Sequence, residues 1–87
     1  PPKLAPFDII IGAEILFRDE FFQPLLNVFD AYLAPQGTIY IAHDVRRKSV
    51  PKFLERAQTT FQIAVSARKM MSQEGELTIL VNRLQRK

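Results

Sequence analysis

The stretch PFDIIIGAEILFRDE, Pro6 to Glu20, decides how the rest of the chain is read. A strand covered on both faces is a continuous apolar run, whereas a half-exposed strand alternates apolar with polar residues. Ile9, Ile10 and Ile11 form such a run, which predicts a strand over Phe7 to Ile11, reaching as far as Glu14, with both faces buried. The run then gives way to a glutamate, an aromatic and three charges: Glu14, Phe17, and Arg18 to Glu20. In open α/β sheets, ligands bind outside the carboxyl ends of the parallel strands. Glu14 and Phe17 follow such an end, so they would stand at the rim of a crevice. From the residues alone, a cap on the sheet edge or a partner of Arg18 is the favoured reading of Glu14.

Downstream, Phe22, Leu25, Leu26, Phe29 and Leu33 recur with the spacing of one helix face. Asp19 is the candidate N-cap, and Pro24 belongs in the first turn, where its missing N–H costs nothing. APQG, residues 34–37, closes this helix, with Gly37 free to take a positive φ. Thr38 to His43, β-branched and aromatic, reads as the second strand. Strand, one-faced helix and strand together predict a parallel pair with a right-handed crossover. A second helix is predicted from Val50 to Thr60, with Ser49 as N-cap, Pro51 in the first turn and Phe53, Leu54, Ala57 and Phe61 inward. Gln62 to Met70 and the segment from Leu77 onward form two more strands around a turn at Gly75, an antiparallel hairpin. The predicted order is β-α-β-α-β-β.

Composition narrows the class. With 87 residues the chain holds one small domain, and 47% hydrophobic with 24% charged residues is ordinary globular usage. No apolar stretch approaches the ~20 residues of a bilayer-crossing helix, and no leading apolar segment marks export. The absence of cysteine excludes disulfides and thiolate metal sites and fits a reducing compartment, so the cytoplasm is the default expectation. Residues 1–6, PPKLAP, read as a linker or an artificial start, and residues 7–87 as the domain. The net charge of +3 is concentrated in DVRRKSVPK, SARK and NRLQRK. Without basic repeats or interleaved aromatics, this pattern favours solvated element ends over nucleic-acid binding.

With the order β-α-β-α-β-β closing in a hairpin, the sequence resembles the C-terminal half of a class I, seven-strand S-adenosylmethionine-dependent methyltransferase. Within that class, FDIIIGAEILFRDEFFQPLL is similar to the stretch after the fourth strand in the protein-lysine methyltransferases of family 16. Their pattern of aspartate, apolar residues, glycine, alanine, an acidic residue and an aromatic falls on Asp8, Gly12, Ala13, Glu14 and Phe17. LAPQGTIYIAH resembles the turn and strand that follow in the class. Two departures stand out. Glutamate and phenylalanine replace the usual aspartate and tyrosine, which keeps the carboxylate and removes the phenol hydroxyl. The glycine-rich turn that cradles the cofactor has no counterpart, since glycine occurs only at 12, 37 and 75.

The resemblance implies an α/β fold, the C-terminal part of a Rossmann-like methyltransferase sheet. It implies S-adenosylmethionine as cofactor of the complete enzyme and a protein lysine as substrate, with this chain inactive alone. Glu14 would be the catalytic carboxylate that holds the incoming amine. Phe17 would wall off the sulfonium and attract it through the ring face, and Ala13 would let the backbone approach the cofactor. His43, the lone histidine, either touches substrate or is structural; Arg46, Arg47 and Lys48 either line the entrance or are solvated. Dispersed acidic residues give no metal site. The alternative function is a small non-catalytic α/β module that binds a partner through its sheet edge and basic loops. Under either reading, the outer edge of the isoleucine strand is a template for another chain, which predicts a homodimer.

Overall fold

The computed structural model describes residues 6–13 and 18–87. The isoleucine stretch forms strand β1, Phe7–Ala13, and the chain continues through helix α1, Phe22–Tyr32, strand β2, Leu33–Asp44, and helix α2, Val50–Ala57. Strands β3, Phe61–Ser72, and β4, Gly75–Arg86, complete it. The order β-α-β-α-β-β is therefore as read from the sequence. The sheet order is β1-β2-β4-β3, with β1 parallel to β2 and β4 antiparallel to both neighbours. The terminal antiparallel hairpin is likewise as expected.

Both helices pack on one face of the sheet. Phe22 and Phe29 of α1 meet Val50, Phe53 and Ala57 of α2 over Ile39, Ile41 and Leu84, which share one pleat phase of β2 and β4. Phe22 and Phe53 touch edge to face, ring centroids 5.4 Å apart, at the centre of this layer. Among the described residues, no helix lies on the opposite face. Ile9 is 58% exposed and Ile11 76% exposed, while Ile10, on the helix side, packs against the core. The prediction that β1 is buried on both faces is thus corrected: an all-apolar run records what a strand is suited to, and here only one layer covers it.

Several boundaries moved for identifiable reasons. Asp19 is not the cap of α1; it opens a single 3-10 turn, Asp19–Phe21, and pairs with Lys52 at 3.5 Å. The helix proper starts at Phe22, which places Pro24 in its first turn, and burial of Phe22 and Phe29 sets that register. Leu33, read as the last residue of the helical stripe, is extended and begins β2 without a loop. Residues 34–37 belong to that strand, because the β1–β2 register slips between Phe7↔Leu33 and Ile9↔Thr38. Gly37 does not take a positive φ; among the described glycines only Gly75 does, at 120°. Crowding explains Gly37 instead: a β-carbon there would lie 2.6 Å from Leu33 Cδ1 and 3.0 Å from the Phe7 carbonyl oxygen. Helix α2 starts after Ser49 as expected but stops at Ala57, where the Gln58 and Thr60 amides turn back to Leu54 and Ala57. The hairpin turn is Gln73–Glu74, held by Ser72 Oγ, which donates to the Gly75 carbonyl and accepts from the Glu74 amide.

Candidate functional site

Parallel pairing brings the carboxyl ends of β1 and β2 side by side. Ala13 lies opposite Ala42, both on the face without helices, so small side chains form a shallow apolar shelf at that end of the sheet. Ala13 is exposed, the position the sequence assigned to close approach of a cofactor. Glu14 and Phe17 lie outside the described residues. The β3–β4 hairpin overhangs the same rim: Asp44, the last residue of β2, faces Ile79, and the hairpin runs on past Leu77 to its turn. Between Asp44, Arg46 and the turn residues Gln73 and Glu74 lies a shallow groove of about 510 Å³.

The loop after β2 is locked by its own charges. Arg46 donates to Asp44 from Nε at 3.0 Å and from Nη2 at 2.6 Å, and its backbone amide donates to Asp44 Oδ1 at 2.9 Å. A fork of this kind stabilises the carboxylate strongly. The Arg46 side-chain hydrogen bond, followed by the Arg46 amide, lowers the Asp44 pKa to about 2. The Arg47 amide donates to the Asp44 carbonyl at 3.1 Å, and the Val45 amide to Thr78 of β4 at 3.0 Å. Arg46 is thus paired within its own loop.

His43 is 4% exposed, beneath the helices rather than at the entrance. Its Nδ1 lies 2.9 Å from the Asp44 carbonyl. A carbonyl only accepts, so Nδ1 donates this bond. Asn82 of β4 is 0% exposed and donates through Nδ2 to the Ile41 carbonyl at 3.2 Å. The two residues occupy the same face on adjacent strands, and both His43 Nε2 and Asn82 Oδ1 are buried without a hydrogen-bond partner. Asn82 escaped the sequence reading. It shares the inward phase of Leu84, which the pairing of β4 with β2 reveals. Among the described residues, no three histidine or acidic side chains cluster as metal ligands, and no helix is long and apolar enough to cross a membrane.

A parallel pair joined by a crossover helix, followed by a hairpin whose second strand inserts between its first strand and the pair, defines a Rossmann-like methyltransferase sheet. The chain belongs to the lysine methyltransferase family, which matches residues 2–60 and so includes β1, α1, β2 and α2. No curated protein matches the sequence. Among solved structures, it is similar to precorrin 8W decarboxylase from Methanobacterium thermoautotrophicum, with a TM-score of 0.59 and 13% identity. That likeness is one of fold. It covers 92% of this chain and 46% of the other, so the chain spans less than half of that protein's length.

Proposed function

We propose that this chain is the substrate-side part of an S-adenosylmethionine-dependent methyltransferase that, in its complete form, methylates protein lysine. The observation that carries the reading is the family match through residues 2–60, because it contains the strand end that forms the rim. The Ala13–Ala42 shelf fits a bound cofactor, since it places no bulky side chain beyond the carboxyl end of β1. When bound, S-adenosylmethionine supplies a sulfonium methyl group that passes to the lysine nitrogen while the sulfur keeps the bonding electrons.

The residues of this chain act by placement. Glu14, next after Ala13, holds the incoming ammonium by a charge-assisted hydrogen bond and orients the nitrogen after its proton has passed to bulk water. Phe17 takes the role of excluding water and attracting the positive sulfur. Such positioning supplies much of the rate in a group transfer that needs no covalent enzyme intermediate. The hairpin overhang and the groove beside Asp44 suit an extended polypeptide carrying the lysine.

The test is Glu14→Gln in a complete enzyme containing this segment. Loss of one charge-assisted hydrogen bond costs about 1.5–3 kcal/mol, so turnover on a lysine peptide falls roughly 10- to 150-fold. Cofactor affinity, read by isothermal titration, should change far less. Unchanged methylation by a folded variant would assign Glu14 to capping the sheet and overturn its role.

A further inference from the structure

Two polar side chains are buried on the helix side of the sheet, His43 of β2 and Asn82 of β4. Asn82 is paired with Ile41 and His43 with Leu80, so the two are diagonal neighbours in one pleat phase. Diagonal positions of adjacent strands lie about 7–8 Å apart at their Cα atoms. Side chains as long as an imidazole and a carboxamide meet across that distance, directly or through one small molecule.

Carbonyl partners fix which atoms these side chains present to each other. The Ile41 carbonyl, 3.2 Å from Asn82 Nδ2, only accepts, so turning the carboxamide over would set oxygen against oxygen. Oδ1 is therefore the atom left over. The Asp44 carbonyl, 2.9 Å from His43 Nδ1, fixes the ring in the same way and leaves Nε2. Both Oδ1 and Nε2 are buried, and neither has a hydrogen-bond partner among the described residues. An amide oxygen accepts, and so does the second nitrogen of a neutral imidazole. A direct bond between them needs a second ring proton and hence a whole charge held out of water, whereas one molecule with two hydrogens to give satisfies both without charge.

We propose that His43 and Asn82 form an internal water site, in which one water donates a hydrogen to His43 Nε2 and the other to Asn82 Oδ1 while the ring stays neutral. A buried acceptor without a donor loses its hydration with no return, and two such acceptors on neighbouring side chains call for a single shared donor. Internal waters fill this role in globular proteins about once per 27 residues. The site joins the centre of the sheet to the rim. Through Nδ1 the same ring holds the Asp44 carbonyl, which also accepts from the Arg47 amide at 3.1 Å and so anchors the loop that Asp44 and Arg46 lock. The inference rests on these two side chains and stands independently of the methyltransferase reading.

Nitrogen NMR of the histidine-labelled chain at neutral pH tests it, and His43 is the only histidine, so the ring signals belong to one residue. The expected spectrum shows one tautomer, protonated at Nδ1 and accepting at Nε2, with nuclear Overhauser contacts from the ring hydrogens to a long-lived water. Asn82→Leu, close in volume and without Oδ1, should lose the water contact to the ring while circular dichroism shows the chain folded. A proton on Nε2, a mixture of tautomers or a wild-type ring without the water contact overturns the proposal, whatever the variant does. A folded Asn82→Leu variant that keeps the contact undiminished overturns it as well, because the water would then belong to His43 alone. Where the variant fails to fold, the wild-type readings decide by themselves.

Discussion

Replacing Arg86 with methionine tests how the last strand holds the first helix. The Arg86 guanidinium donates from Nη1 to Asp30 Oδ1 at 2.7 Å and from Nη2 to the carbonyls of Asp30 and Leu33, both at 2.8 Å. These carbonyls lie at the carboxyl end of α1, where no further helical amide is available to them. The ion pair with the exposed Asp30 carboxylate contributes well under 1 kcal/mol, whereas each carbonyl bond to a charged donor contributes about 1 kcal/mol net. Methionine keeps the apolar stem and removes all three bonds, a loss of about 2 kcal/mol. For a domain of this size that lowers the melting temperature by about 8–16 °C. Arg86→Lys should recover less than half, because one ammonium cannot span two carbonyls and a carboxylate as a planar fork does. Urea denaturation followed by circular dichroism measures both variants, with an unchanged slope required for comparison. A methionine variant within about 0.5 kcal/mol of wild type would show that the fork contributes nothing, and full rescue by lysine would reduce it to simple charge attraction.

Two further outcomes follow from local geometry. Gly37→Ala should destabilise by about 1–3 kcal/mol, since its β-carbon meets Leu33 and two backbone oxygens that cannot move independently; an unchanged urea midpoint would show that Leu33 swings aside. Asp44 has a folded-state pKa of about 2 against an ordinary 3.8, so its contribution is fully present above about pH 4 and disappears as pH falls through 2. Asp44→Asn should therefore flatten the decline of stability between pH 4 and pH 2, and an equally steep decline in the variant would refute the Asp44–Arg46 linkage.

Element types were legible because the periodicities were unambiguous: the stripe from Phe22 to Phe29 is helical, and TIYIAH has nowhere to go but a strand. Boundaries failed where a tertiary contact overrode a local signal. APQG carries the residues of a helix stop, yet the register slip against β1 draws it into β2, and Gly37 is there for space rather than for backbone conformation. Near the candidate site, the position of Ala13 at the carboxyl end of β1 was legible because the apolar run ends there. The Asp44–Arg46 fork was not, since a run of basic residues gives no hint of which one folds back. Asn82 was hidden for a similar reason, because its inward phase becomes visible only once β4 is aligned against β2. The bare sheet face was misread for a deeper reason. Three isoleucines state that a strand can be covered twice, and nothing local states by what.

The position of β4 bears on how the chain acquires its structure during synthesis. This strand follows all the others in sequence yet sits between β2 and β3, and its contacts reach far back, as in the 47-residue separation between Thr38 and Gln85. Until it emerges from the ribosome, β3 has no neighbour and β2 has one open edge. Folding of this sheet is thereby deferred until β4 has been translated, and the long sequence separations make it slow as well. Throughout that interval Ile39 and Ile41 line an unpaired edge, a surface that holdase chaperones and aggregation compete for. A frameshift or early stop within β4 would therefore not trim the fold but dismantle it, leaving the β1–β2 pair with two helices and no sheet broad enough to seat them.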